Sequence, residues 1–239
     1  MMKRWISDIT FFLGLAALVL RRMLYITAAD AKGLLLRGHP LSLALLALTA
    51  AVLLLICFAV RKQEESAVSE ESTFPSALGH TVMALGILAT VLSGGPRTTG
   101  YLGTAWRWLG FAAPVCLLAA GAAGLTRKKP FFLLHVVPCL FFVVYIVSNY
   151  QIWSGNPQMQ DYLFALLGTM ALMFFSFYTA ALEAGCGSRR MALGMGLAAI
   201  YLCLAELANS TYPVLYFAGA IWIRAELFAL RTAEPKPED

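Results

Sequence analysis

The side chains of this sequence that could do chemistry are polar and ionisable residues inside otherwise apolar stretches. An arginine at the centre of a membrane-spanning helix costs about 2.5–3.5 kcal/mol to insert, so a charged residue at such a position is a functional hypothesis by default. Five residues of this kind are candidates for a polar pathway through the protein: Glu206, Asn149, Arg224, Glu183 and His135.

Glu206 and Asn149 lie near the ends of two apolar stretches that should finish on the same side of a membrane. We expect them to line an outward-facing vestibule that binds a polar or cationic solute. The alternative is that both residues are hydrated at the membrane interface and have no functional role.

Arg224 and Glu226 interrupt the last apolar stretch of the chain. Residues two positions apart point to different faces of a helix, so the two side chains should find different partners. We expect Arg224 to pair with Glu183, at the end of the sixth stretch. We expect Glu226 to pair with Arg189 or Arg190. The alternative is that both side chains extend to the inner headgroups of the bilayer.

His135 lies three residues before Pro138 in the fifth stretch. A proline frees a backbone carbonyl and can kink a helix, and a kinked helix with a histidine is suited to a gate or a proton relay. A hydrogen-bonded histidine in the core is the alternative, and both interpretations apply equally to His80. Two histidines on different helices without a carboxylate at ligand spacing do not predict a metal site. No cofactor is expected.

These residues must be positioned by membrane-spanning helices. The hydrophobic fraction is 60% and the charged fraction 13%, against about 45–50% and 25% in soluble domains. Residues 41–60 contain no charge over the length that crosses hydrocarbon. The predicted fold class is therefore all-α, a polytopic transmembrane helix bundle of about eight spans arranged as tandem helical hairpins. The expected spans cover residues 9–28, 41–60, 77–94, 107–125, 131–150, 160–183, 191–208 and 212–230.

The first forty residues leave seven spans as an alternative, because Arg21 and Arg22 would lie deep in an eight-span arrangement. We expect the two arginines to mark a membrane interface instead. Residues 9–20 would then form a short or tilted span, followed by an interfacial helix over residues 21–38.

Lysine and arginine collect on one side of the predicted spans, in the loops at 61–76, 126–130 and 184–190 and in the tail at 231–239. The positive-inside rule makes these segments cytoplasmic, and both termini with them. The chain, residues 1–239, is expected to be a single integral membrane domain with an acidic cytoplasmic loop at 61–76 and a short polar C-terminal tail.

A weak internal repeat supports eight spans. The turn Ser93-Gly94-Gly95-Pro96 is matched by Ser154-Gly155-Asn156-Pro157 at the corresponding point of the next hairpin. The alternative is that turns in any helical protein collect glycine, proline and asparagine. Small residues four apart in the fourth and seventh stretches also predict close packing seams: Ala120, Gly124, Gly194 and Ala198.

The segment from Tyr150 to Arg190 reads YQIWSGNPQMQDYLF, an apolar span and AALEAGCGSRR. It resembles multi-span membrane proteins of clostridial-type gut bacteria to which no activity is assigned. The resemblance covers about a sixth of the chain and consists of turn and membrane-anchor residues. It implies a bacterial plasma membrane and no particular chemistry.

Three functions are compatible with the sequence. A small transport protein, or the membrane subunit of a transporter, fits the short loops and scattered buried polar groups. A non-catalytic sensor, chaperone or partner-binding subunit is the alternative, and an intramembrane lipid-modifying enzyme is the third. The chain has no nucleotide-binding P-loop, and its basic residues lie at helix ends rather than in a nucleic-acid-binding patch. The expected partners are the lipid bilayer and an unknown small solute, and the small-residue seams permit a homo-oligomer or a membrane partner subunit.

Overall fold

The computed structural model describes residues 4–28, 35, 39–61, 74–96, 100–126, 130–153 and 162–232. The regular structure in these segments is helical, which confirms the all-α prediction. Eight helices are described: α1 (Arg4–Ala28), α2 (Pro40–Arg61), α3 (Phe74–Leu92), α4 (Gly100–Leu125), α5 (Leu133–Trp153), α6 (Leu163–Glu183), α7 (Arg189–Glu206) and α8 (Pro213–Thr232).

Six of the described helices, α1 to α6, are long and apolar enough to cross a membrane. The other two, α7 and α8, contain 18 and 20 residues, which corresponds to about 27 and 30 Å of helix. Both are long enough for the hydrocarbon core, and both carry charged residues, including Glu206 on α7 and Arg224 and Glu226 on α8. The number of described helices is the predicted eight, and the crossing of the membrane by α7 and α8 stays a prediction.

The predicted break in the first helix is wrong. We expected a short span followed by an interfacial helix starting at Arg21. Instead, α1 continues without interruption through Arg21 and Arg22 to Ala28. The arginines are compatible with one long helix because Arg21 is buried against a partner helix and Arg22 is exposed on the outer surface.

Several sequence predictions fall on residues outside the described segments. These are most of the acidic loop, the end of the C-terminal tail, and the basic or proline-containing turns at 97–99, 127–129 and 154–161. The second copy of the proposed repeat lies in the last of these turns, so the duplication stays a prediction.

Six helices form a closed ring. Going around it, α3 packs against α4, α4 against α5, α5 against α6, α6 against α7, α7 against α8, and α8 against α3. The α1–α2 hairpin lies outside this ring and packs mainly against α7. Large apolar side chains fill the core, including Phe141, Phe175 and Trp222, while others such as Phe12 and Phe217 are exposed on the outer surface. Such an outer surface is suited to contact with lipid rather than water.

The helices of the ring alternate in direction. His135 near the start of α5 contacts Glu183 at the end of α6, and Gly79 near the start of α3 faces Ala225 in the second half of α8. We call the end where α3, α5 and α7 begin the basic end, because it carries Arg189 and its neighbours, and the opposite end the far end.

The ring is closed between α3 and α8 by glycine contacts. A Cβ atom on Gly79 would lie 2.7 Å from the Cβ of Ala225, and one on Gly86 would collide with the Cβ of Ala218. Small residues let two helix backbones approach closely in a membrane. We also predicted such seams on α4 and α7. On α4, Ala120 and Gly124 are buried, whereas on α7 a Cβ on Gly194 would meet Val60 of α2 at an ordinary 3.6 Å.

Gly86→Ala should therefore destabilise the protein, by about 1–3 kcal/mol of unfolding free energy, because overpacking forces the two helices apart. Gly194→Ala is the matched control and should be neutral or slightly stabilising, since alanine favours a helix over glycine. Equilibrium unfolding of both variants in detergent measures the difference. Equal stability of the two variants would show that the α3–α8 seam can relax at no cost.

Candidate functional site

Four ionisable side chains meet inside the ring near its basic end. The Nε2 atoms of His80 on α3 and His135 on α5 are 2.8 Å apart. The Nδ1 atom of His135 is 2.9 Å from Oε2 of Glu183 on α6, and Nδ1 of His80 is 3.1 Å from Oε1 of Glu226 on α8. These four residues, joined in the order Glu226–His80–His135–Glu183, are called the His–Glu chain below. Because α3 and α5 are not neighbours in the ring, the contact between the histidines crosses its interior.

Neighbouring residues hold both imidazoles in place. The hydroxyl of Ser176 on α6 donates to the main-chain oxygen of His135 at 2.8 Å. The indole of Trp222 stacks parallel to His135, at 6.3 Å between ring centroids and 6° between planes, and packs edge-on against His80 at 5.9 Å. At the other end, the Ser76 hydroxyl donates to Oε1 of Glu226 at 2.5 Å. Rotamers fixed in this way keep donors and acceptors aligned.

The hydrogen bonds set how many protons the His–Glu chain contains. Nδ1 of His80 lies 2.9 Å from the main-chain oxygen of Ser76, which can only accept, so this nitrogen carries a proton. The link between the two Nε2 atoms needs one further proton, and the link from His135 to Glu183 needs another. Two ionised glutamates carry no proton and two neutral imidazoles carry one each. Together they supply only two of the three protons that these hydrogen bonds need. The fully bonded chain therefore holds one extra proton and has a net charge of −1.

This extra proton has more than one place to reside. In one arrangement His80 is doubly protonated and His135 donates from Nδ1 to an ionised Glu183. In another, His135 donates from Nε2 to a neutral His80, and a protonated Glu183 donates to Nδ1 of His135. Moving one proton along each of two short hydrogen bonds converts the first arrangement into the second. The geometry therefore suits transfer of a proton between His80 and Glu183, across the ring interior.

The two histidines are spaced as hydrogen-bond partners. Two nitrogens bound to one tetrahedral zinc ion at 2.0–2.1 Å are about 3.3 Å apart, which is longer than the 2.8 Å found here. In the described part of the chain, no three or more His, Cys, Asp or Glu side chains are arranged to hold a metal ion.

A buried ion pair lies near the far end, between α1 and α7. Arg21 binds Oε2 of Glu206 and donates to the main-chain oxygen of Ala205 at 3.2 Å. Its guanidinium also lies 4.8 Å from the ring centroid of Phe164 on α6. Only 2% and 4% of the Arg21 and Glu206 side chains are exposed. Arg21 is therefore buried within the protein, at the level of the last residue of α7, and its place at a membrane interface stays a prediction.

The two residues that we expected to line a vestibule, Glu206 and Asn149, are both buried. Glu206 lies in its ion pair with Arg21. The Asn149 side chain donates to the main-chain oxygen of Tyr145 within its own helix, at 2.8 Å. These two candidates lie toward the same end of the bundle, and the vestibule stays a prediction because the turns at 97–99 and 154–161 lie outside the described residues.

Arg224 and Glu226 have partners that the sequence analysis did not assign. Arg224 pairs with Asp8 of α1 at 2.9 Å rather than with Glu183, and both side chains are about half exposed. Glu226 is buried in the His–Glu chain. The structure thus brings Glu183 and His135 together and leaves Arg224 outside the ring.

The sequence analysis also did not foresee the functional position of Glu226 or the involvement of Ser76. The signal for Glu226 was present, because it is a carboxylate in an apolar stretch, but no spacing rule connects residues on four different helices. Only the order of helices around the ring reveals which polar groups meet.

Breaking the buried pair should be costly. Glu206→Gln leaves the Arg21 charge buried without a counter-charge, which typically costs about 3–5 kcal/mol of unfolding free energy. The control Asp8→Asn removes one partner of a half-exposed pair and should cost under about 1 kcal/mol. Equilibrium unfolding in detergent compares the two variants. The double variant Arg21→Met/Glu206→Gln should recover part of the loss, and no recovery would contradict the ion-pair explanation.

The proton positions in the His–Glu chain can be observed directly. In protein labelled with ¹⁵N-histidine and placed in lipid bilayers, solid-state NMR should show a protonated Nδ1 on His80 and a scalar coupling between the Nε2 atoms of His80 and His135. The variant His39→Gln assigns the signals by removing those of the third histidine. Two histidines that titrate independently, with no coupling between them, would contradict the shared hydrogen bond.

No protein-family model matches the chain, and neither curated proteins nor solved structures give a match.

Proposed function

We propose that this protein is a proton-coupled transport protein, or the membrane subunit of one, for a small polar solute. The observation that supports the proposal is the His–Glu chain, a buried set of proton-exchanging groups that crosses the interior of a ring of helices. Chains of acidic residues and histidines inside membrane helices are typical proton relays in pumps and transporters.

The His–Glu chain needs a functional reason because its burial is costly. Four ionisable side chains in a membrane bundle are removed from water, and apolar residues of similar size would pack there at lower cost. The seam between α3 and α8 and the apolar core already hold the ring together. A proton-transfer role explains why these four residues occupy the interior.

The His–Glu chain also offers a way to couple protonation to helix movement. Ser76, His80 and Glu226 belong to the tightly packed pair α3 and α8. Ser176, His135 and Glu183 belong to the pair α5 and α6. The hydrogen bond between the histidines joins one helix pair to the other, and it competes with the link from His135 to Glu183 for the extra proton. Without this proton only one of the two links can form, and an ionised Glu183 favours keeping the remaining proton on Nδ1 of His135, which breaks the bond between the histidines. Loss of this proton would free the two pairs to separate at the basic end.

In the proposed mechanism, the second barrier lies toward the opposite end of the ring. The buried Arg21–Glu206 pair lies at that end, and fully buried apolar residues such as Leu172, Leu197 and Ile223 lie midway along α6, α7 and α8. Transporters that alternate access place the substrate site near the membrane midplane, between two such barriers. We assign the basic end to the cytoplasmic face of a bacterial plasma membrane, following the positive-inside rule.

Solute-driven charge movement tests the proposal. Proteoliposomes on a solid-supported membrane are perfused with pools of amino acids, sugars, nucleosides and organic cations, and the transient current is recorded with and without a pH gradient. At least one pool should give a current in the wild type that grows with an inward proton gradient. His135→Gln and Glu183→Gln should abolish this current, because each removes a link of the proton chain.

His39→Gln is the matched control, since His39 lies at the start of α2 and contacts only its own helix through the amide of Leu41 in the described structure. This variant should transport as the wild type does. Folding of every variant is checked by size-exclusion chromatography in detergent. Currents that persist in folded His135→Gln and Glu183→Gln protein would reject the relay, and no current from any pool with folded wild type would reject transport.

A further inference from the structure

A groove lies outside the ring, between α1, α3 and α8, toward the basic end. Its volume is about 490 Å³, and its lining includes Asp8, Pro75, Ile221, Arg224 and Phe228. Sites for small molecules typically measure about 300–1,000 Å³. The groove exists because α1 packs along α7 and touches α8 mainly through the contacts of Arg224 with Asp8 and Phe11.

The polar part of the groove is an open ion pair. Arg224 binds Asp8 through one guanidinium nitrogen and one carboxylate oxygen, and 44% and 50% of the two side chains are exposed. The guanidinium has further N–H donors and the carboxylate has a second oxygen, so each can bind another group without breaking the pair. A half-exposed cation beside a half-exposed anion is complementary to a zwitterion.

Two apolar stripes run from this pair toward the far end. On α1, Phe12, Leu15 and Val19 follow Asp8 at helical spacing on the same face, and all three are exposed. On α8, Ile221 and Phe217 precede Arg224 on its own face, and Phe217 is exposed. The groove therefore has a charged end and an apolar extension. A phospholipid has the same distribution of polarity, with a charged headgroup and apolar acyl chains.

We propose that this groove binds a phospholipid with a zwitterionic phosphoethanolamine headgroup. The phosphate binds the guanidinium of Arg224, the ammonium binds the carboxylate of Asp8, and the acyl chains lie along the stripes of α1 and α8. Arginine suits phosphate because its planar fork can donate two parallel hydrogen bonds.

The depth of the pair favours a lipid over a solute from water. Asp8 lies about 6 Å from the start of α1, and Arg224 lies about 12 Å from the end of α8, at 1.5 Å of rise per residue. The groove faces sideways, toward the surrounding lipid, so a molecule already in the membrane enters it without crossing the apolar outer surface. The inference is independent of proton-coupled transport, because binding is measured without a gradient.

Lipid binding to purified protein tests this site. Delipidated protein in detergent is titrated with phosphatidylethanolamine, phosphatidylcholine and phosphatidylglycerol of identical acyl chains, and native mass spectrometry counts the retained adducts. The wild type should bind phosphatidylethanolamine most tightly. Arg224→Gln should weaken binding of all three lipids by roughly tenfold or more, since it removes the charge-assisted bond to phosphate.

Asp8→Asn provides the sharper test, because it should weaken phosphatidylethanolamine binding and leave phosphatidylglycerol binding at the wild-type level. Arg22→Gln is the control, since Arg22 is an exposed arginine of α1 far from the groove, and it should bind as the wild type does. If either groove variant fails to fold, the relative binding of the three lipids to the wild type still tests the proposal. A wild type that binds the three lipids equally, or an Asp8→Asn variant with unchanged preference, would overturn the proposal.

Discussion

The hydrogen bond between His80 and His135 links the α3–α8 pair to the α5–α6 pair across the ring interior, where Trp222 of α8 also packs against His135 and Phe175. It exists only when one nitrogen carries a proton and the other does not, so its presence depends on the proton count of all four residues in the chain. In a membrane interior no water replaces a lost partner, and a broken link leaves a donor or an acceptor unsatisfied. In the proposed mechanism, protonation of the His–Glu chain is therefore coupled to the spacing between α3 and α5.

The apolar packing determines how the helices respond to a change in protonation of the His–Glu chain. Glycine contacts hold α3 directly on α8, and Trp222 lies between Phe175 and the two histidines. A packed interior of this kind does not deform continuously, so in the proposed mechanism a change in protonation of the His–Glu chain moves whole helices.

The existence of the helices could be predicted from the sequence. Lipid offers no hydrogen-bond partner, so the N–H and C=O groups of an apolar spanning segment must bond to each other within a helix. The partners of the polar residues could not, because they depend on the order of helices around the ring. Arg224 was expected to pair with Glu183 on α6, but α8 lies between α3 and α7, and Asp8 of the outer helix reaches it instead. Arg21 and Glu206 are 185 positions apart, and no periodicity connects them.

The two ion pairs of α1 together fix how this outer helix attaches to the ring. Toward the far end α1 contributes the cation, Arg21, to Glu206 of α7; toward the basic end it contributes the anion, Asp8, to Arg224 of α8. Reversing α1 end to end would bring Arg21 toward Arg224 and Asp8 toward Glu206, and both contacts would be repulsive. Ion pairs of this kind favour one orientation of a helix over the other even where their net contribution to stability is small. Because the pair at Arg224 is half exposed, it can fix the orientation of α1 and still bind a headgroup, whereas the sealed pair at Arg21 can only hold the helices together.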